Sequence, residues 1–370
     1  MVNNPYGRQW TPPQASEAFS NKLIKADVLC IEGNVRQALE LYQEESNWNS
    51  ISARRLTIAK KQMKEGMTFT NENNRFDNRI KLGFIDWYQG FTDEEGILSM
   101  FQKAGIGAEY SSATHSDIII AGTYGLELPL NYHKYRDQLI ILFTGENISP
   151  SYNIHDFSIT TRRNSYCGKN IRLPQWLGEL NTDGKEVGIK KREQYDYTTT
   201  KAAKNLAITT IYNNSTPERE EMINLLKNEF GNDSVHVFGS QRGGNVNKFE
   251  ILSRTVINMC FENSIGDGYT TEKLLHAKMM GCKALYWGDP GYKKDFTKEN
   301  ILNTYEISDL KNIISWCTHQ LKDPGPIKSL PEAINQDIFN TTPNNQELIV
   351  KIREWSHMIL NMRNFYSFTD

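Results

Sequence analysis

The 370 residues carry 42 basic and 44 acidic side chains, a formal charge of −2, with 38% hydrophobic and 11% aromatic residues. That balance excludes the global positive field of a nucleic-acid binder, and the apolar content excludes wholesale disorder. Cys30, Cys167, Cys260, Cys282 and Cys317 are odd in number and lack C-x-x-C spacing, so neither a disulfide framework nor a structural zinc site is expected.

At roughly 150 residues per domain the length predicts two domains with an appendage. The first 14 residues are polar and broken by prolines, without the apolar core of a secretory signal. No apolar run approaches the ~20 residues that cross a bilayer. The expectation is a soluble, cytoplasmic protein, with peripheral membrane contact left open. Residues 16–64 read as helical, broken at Gly33 and Asn34. GNVRQALELY (33–42) resembles the middle of one tetratricopeptide unit, with a Gly turn, a small Ala38 and a sealing Tyr42. A second copy at that family's period is absent from the sequence, so a helical hairpin packing on its own protein is the plainer expectation. A protein partner for residues 15–64 is the alternative.

Residues 65–78 read as a linker, so 1–75 forms an N-terminal helical segment. Short apolar strands (80–86, 116–121, 139–144, 157–160) then alternate with helical stretches, which predicts a parallel sheet covered on both faces. This gives an α/β domain over 76–185. The polar stretch 179–202 reads as an exposed connection. A second series, with strands at 205–212, 234–238, 256–261 and 283–287, gives another α/β domain over 200–340. Its first helix begins at Pro217, capped by Ser215 or Thr216. A Gly-rich turn is expected over 239–245. The C-terminal segment, 341–370, carries an amphipathic helix with Leu348, Ile349, Ile352, Trp355 and Ile359 on one face. Two doubly wound domains in tandem predict a ligand cleft at the carboxyl ends of their strands.

Residues 257–290 carry the densest chemistry. Asn263 and Ser264 stand where a strand ends, Gly266 and Gly268 permit a tight loop, and Thr270 or Thr271 caps the next helix. A helix N-terminus followed by Lys273 suits a pyrophosphate. Glu272 is placed to accept from ribose hydroxyls, Tyr269 offers a hydroxyl or a stacking face, and Asn263 bonds phosphate or sugar. Taken singly, Glu272 and Lys273 are an ordinary exposed pair.

Phe261-Glu262-Asn263-Ser264, Tyr269-Thr270-Thr271-Glu272-Lys273 and Tyr286-Trp287-Gly288 together resemble the donor signature of family-10 glycosyltransferases, the α-1,3/4-fucosyltransferases. ILFTGENISPSYNIHDFSI (141–159) is similar to that family's acceptor-domain motif, and NNSTPEREEMINLL (213–226) to the segment opening its donor domain. The resemblance spans about 79–313. It implies a GT-B-like α/β fold, two Rossmann-type domains facing across a cleft, with the helical hairpin added at the N-terminus. It also implies an inverting transfer of fucose from GDP-fucose to an acceptor glycan hydroxyl, α-1,3 to N-acetylglucosamine or a related sugar. Glu146 falls on the family's catalytic base and Arg219 on its pyrophosphate arginine. Asn263, Ser264, Tyr269, Thr271, Glu272 and Lys273 fall on the donor site.

Where the family often has Tyr-Lys-Phe this chain has Thr255-Val256-Ile257, and Arg254 is the candidate substitute for the missing lysine. Trp87, Tyr88 and Asn147 are candidates for the acceptor side, the aromatics by stacking on sugar faces. D-x-D does not occur in the chain, so no metal and no further cofactor is expected. The alternatives are a transferase using another GDP-sugar, and a non-catalytic scaffold that recruits partners through its helices.

Overall fold

A computed structural model describes residues 20–73, 79–91, 94–179, 204–239, 246–307, 309–322 and 345–365. The Gly-rich turn expected at 239–245 and the connection at 179–202 lie almost entirely outside them. The chain divides into two compact units, the first within Met1–Thr160, Asn164–Arg172 and Asn344–Asp370, the second within Thr161–Arg163 and Leu173–Pro343. The N-terminal helices and the C-terminal helix thus belong to the first unit rather than to separate segments.

The first unit opens with three helices, α1 (Asn21–Ile31), α2 (Val35–Glu45) and α3 (Ser50–Asn73). Ala38 and Tyr42 are fully buried in the α1–α2 hairpin, and Tyr42 Oη donates to Asp27 at 2.7 Å. The hairpin packs on its own unit. Helix α3 runs through most of the expected linker. Its Gly66 faces the C-terminal helix so closely that a Cβ there would lie 2.2 Å from the Arg363 carbonyl oxygen, which explains a glycine in mid-helix despite its propensity cost.

After α3 come β1 (Ile80–Ile85), α4 (Glu94–Lys103), β2 (Ala108–Tyr110), β3 (Ile118–Ala121), α5 (Glu127–Asn131), β4 (Leu139–Phe143), β5 (Phe157–Thr160) and β6 (Asn170–Arg172). All pairings are parallel, in the order β2-β1-β3-β4-β5-β6. Strand β3 is buried along its whole length and β4 along all but Phe143, as expected of a sheet covered on both faces. The C-terminal helix, here α10 (Asn345–Asn364), closes one face and stacks Trp355 on Phe157 at 4.7 Å.

A buried charge cluster ties the helices to this sheet. Arg55 Nε meets Asp27 at 3.1 Å and its Nη1 bonds Asp156. Arg54 reaches Asp156 at 2.7 Å, and Lys169 pairs with Asp27. The side chains of Arg55 and Asp156 are 0% and 1% exposed.

The second unit contains β7 (Leu206–Ile211), α6 (Pro217–Phe230), β8 (Val235–Phe238), α7 (Lys248–Ser253), β9 (Thr255–Phe261), α8 (Glu272–Met279), β10 (Lys283–Trp287), β11 (Ile301–Asn303) and α9 (Leu310–Lys322). Its parallel sheet is ordered β11-β10-β9-β7-β8. Both units therefore wind outward from a central switch, between β1 and β3 in the first and between β7 and β9 in the second. That is where doubly wound folds place their ligands, beyond the carboxyl ends of the strands. The two parallel α/β sheets agree with the GT-B-like class.

Candidate active site

The carboxyl end of β9 in the second unit carries the centre of the expected donor motif. Glu262 is fully buried there. Its Oε1 accepts from Thr271 N at 2.8 Å, and its Oε2 accepts from Thr271 Oγ1 at 2.7 Å and Lys273 Nζ at 3.1 Å. Thr271 is the N-cap of α8, as expected, but its hydroxyl donates to Glu262 rather than capping. The positive end of α8 and the Lys273 ammonium are thus gathered around one carboxylate. Burial alone would lower the Lys273 pKa; Glu262 and Glu272 more than offset it and hold it above its ordinary value. Burial would likewise raise Glu272, but Lys248, at 3.0 Å, and Lys273 pull it well below the usual carboxylate range. Among the expected donor residues, Asn263 is exposed, Ser264 half-buried and Tyr269 buried, so Tyr269 presents no open stacking face.

Arg219 differs from expectation. Thr216 caps α6 as predicted, accepting from Arg219 N at 3.4 Å, which sets Arg219 in the first turn. The guanidinium is fully buried and engaged on carbonyls. Nη1 donates to Asn214 O, and Nη2 donates to Phe261 O at 2.6 Å, Glu262 O at 3.1 Å and Asn263 Oδ1 at 3.3 Å. It stitches the β7–α6 turn to the end of β9 across the switch point. Arg254 is a correction. It precedes β9, at the strand end opposite Glu262, and its Nε donates to Asn205 Oδ1 at 3.0 Å. A seven-residue strand separates the two ends by about 20 Å, so Arg254 does not reach the motif loop.

The glycine loop has an anchor that sequence reasoning missed. Asp289, fully buried after β10, accepts from Gly268 N at 3.0 Å, Gly291 N at 2.8 Å and Thr270 Oγ1 at 3.0 Å. Arg163 grips it with both terminal nitrogens, at 2.8 and 2.6 Å, and also meets Asp267 and Asp295, each at 2.9 Å. Burial would raise the Asp289 pKa; the Arg163 fork and the two N–H groups hold it below its ordinary value. Asp289 and Glu262 shared a recognisable signal, a carboxylate at the end of a buried strand. Arg163 had none, being more than a hundred residues from its partners. Arg163→Ala strands two buried carboxylates and is expected to cost about 3 kcal/mol of unfolding free energy. Calorimetric unfolding checks this, with Arg163→Lys restoring only part because it lacks the fork.

In the first unit, Glu146 is half-buried on the turn after β4. Its N–H donates to Thr144 Oγ1 at 3.1 Å, and Tyr124 Oη donates to its Oε1 at 2.8 Å. Burial and then the Glu146 carboxylate push the Tyr124 pKa far above its ordinary value. Asn147 is half-buried beside Glu146. Of the two aromatics expected on the acceptor side, Trp87 is committed to internal packing. It stacks on Phe91 at 3.9 Å and donates to Ile120 O at 2.9 Å. Tyr88 is 48% exposed and lies edge-on to Tyr124 at 5.7 Å.

No helix among the described residues is long and apolar enough to cross a membrane. Residues 82–178 match the Alpha-(1,3)-fucosyltransferase FucT N-terminal domain family. The chain is 25% identical to Helicobacter pylori Alpha-(1,3)-fucosyltransferase FucT over 64% of its own length and 56% of the relative, so the match spans little more than half of that protein. A crystal structure of α1,3-fucosyltransferase is 21% identical, with a TM-score of 0.56 over 76% of this chain and 90% of the other. One solved with GDP-fucose is 19% identical, with a TM-score of 0.53 over 77% and 91%. Residues 82–178 are therefore similar to the FucT N-terminal domain family, in a chain whose two-sheet fold resembles that of an α1,3-fucosyltransferase.

Proposed function

We propose that this protein transfers fucose from GDP-fucose to a hydroxyl of an acceptor glycan, with inversion at the anomeric carbon and α-1,3 linkage to N-acetylglucosamine or a related sugar. The observation that carries this is the domain match over residues 82–178, which contains Glu146. Glu146 takes the proton of the acceptor hydroxyl as that oxygen bonds the anomeric carbon and the bond to the phosphate oxygen breaks. Negative charge then grows on GDP. Lys273 and the N-terminus of α8 stabilise it, and Arg219, buried on the carbonyls at the end of β9, adds positive charge nearby. Asn263, Ser264 and Glu272 orient the donor.

Calorimetric titration with GDP, GDP-fucose, GDP-mannose and UDP-galactose tests the donor. GDP and GDP-fucose are expected to bind selectively, and Lys273→Ala to weaken both about tenfold or more, the worth of a charge-assisted phosphate contact. Equal binding of every GDP-sugar would move the donor to another GDP-hexose. No nucleotide binding would leave a scaffold role for the fold.

A further inference from the structure

Three loops leave the carboxyl ends of β1, β3 and β4 around the strand-order switch of the first unit. They bring Tyr88, Tyr124 and Glu146 together. The loop after β3 is linked to the Glu146 turn at two points. The Thr123 and Thr144 hydroxyls are 3.3 Å apart, and Thr144 Oγ1 also accepts the Glu146 N–H. Tyr124 Oη makes the second link, to Glu146 Oε1.

The backbone under Tyr124 is held by a strained residue. Asp86 has φ +58°, a conformation that non-glycine residues rarely adopt. Its carbonyl accepts from Tyr124 N at 2.8 Å, and its carboxylate accepts from Glu127 N at 2.8 Å and Leu128 N at 2.9 Å. The loop presses so closely on Asp86 that a Cβ at Gly125 would lie 2.2 Å from Asp86 Oδ1, and one at Gly122 2.5 Å from Asp86 O. All this fixes a tyrosine that is 56% exposed and adds little to any core. Strain kept to place an exposed side chain points to a task for that side chain.

We propose that Tyr124 is a positioning residue whose hydroxyl holds the Glu146 carboxylate in the orientation that receives the acceptor proton. The inference rests on Glu146 being the base. A carboxylate on a half-exposed turn samples several rotamers. Occupying Oε1 with a donor whose own backbone is fixed leaves Oε2 aimed in one direction. Tyr124 acts through Glu146 and not on the reacting atoms.

Tyr124→Phe keeps the ring and removes only the donor. Turnover is expected to fall about tenfold, as small misplacements of a catalytic group do. The acceptor KM should stay within about twofold and the melting temperature should not change. Adding Tyr124→Phe to Glu146→Gln should slow the single Gln variant no further. Unchanged turnover in Tyr124→Phe, or effects that multiply in the double variant, would overturn the positioning role. Crystal structures of the wild type and Tyr124→Phe decide the same point without activity. The Glu146 carboxylate is expected to leave its place in the variant, and one that stays put overturns the inference. A wild-type protein that transfers no fucose would instead overturn the proposed function, with the crystallographic comparison still deciding what Tyr124 does.

Discussion

Replacing Glu146 by glutamine is expected to lower turnover by about 10²–10⁴-fold while GDP-fucose affinity holds within about twofold. The amide matches the carboxylate in shape and still accepts from Tyr124 Oη through its carbonyl oxygen. The backbone anchor to Thr144 is untouched. What the amide loses is the capacity to take a proton. An attacking hydroxyl that keeps its proton is a poor nucleophile, so the loss falls on kcat. Steady-state kinetics at saturating GDP-fucose, with calorimetry of the same variant, checks both halves. Turnover within a few-fold of wild type would place the base elsewhere. Weakened GDP-fucose binding would mean that the substitution had disturbed more than the proton transfer.

The second large effect concerns folding. Arg55→Met is expected to destabilise the first unit by about 3–5 kcal/mol, the range for breaking a buried ion pair from one side. Arg55 lies between Asp27 and Asp156, and removing it leaves two buried carboxylates with less positive charge than they need. Burial by itself would raise both carboxyl pKa values. Arg55 with Lys169, and Arg54 with Arg55, more than reverse this and hold Asp27 well below its ordinary range and Asp156 below its ordinary value. A carboxyl lowered in the folded state stabilises above its unfolded pKa of about 3.9 and loses that contribution as pH falls further.

His155 adds an earlier limb. It is buried, with Nδ1 2.9 Å from Ser151 O, and desolvation brings its pKa down to about 4. Between about pH 6.5 and 4 the unfolded chain binds a proton that the native imidazole refuses. Stability therefore falls as pH drops through that window, by about 3 kcal/mol in all. Melting temperatures of the first unit should be level from pH 8 to 7 and decline below 6.5. In His155→Asn the decline should begin only near pH 5. A His155→Asn protein with the wild-type profile would show that the histidine is not the early-titrating group.

Much of the architecture was legible because its signals are local. The runs SDIIIA and LIILF are too apolar to lie on an open face, and they became β3 and β4 at the centre of a parallel sheet. Thr216 before Pro217 announced the start of α6, and Thr271 the start of α8. The donor motif was legible as a string because strand, loop and helix there are consecutive. It placed Glu262, Thr271 and Lys273 within a span of 11 residues, and the fold brings them into contact.

Residue types and spacing, then, sufficed for the class of fold and its longer strands and helices, while the candidate base and phosphate cation were named through the family resemblance of their motifs. The sequence alone could not say which polar groups are spent on holding the structure. Arg219 has the chemistry of a phosphate ligand, but three backbone carbonyls that end up around it claim its guanidinium. Trp87 has the chemistry of a sugar platform, yet Phe91 and the Ile120 carbonyl take it inward. Arg254 sits one residue from the motif strand but at its far end, which only strand direction decides. Arg163 with Asp289, Arg55 with Asp156 and Tyr124 with Glu146 are pairs between distant parts of the chain, from 22 to 126 residues apart. A buried polar group must find a partner, and which partner is within reach depends on how the strands are ordered and where their loops emerge. That is a property of the folded chain, and it is why these pairs emerged only from the tertiary structure.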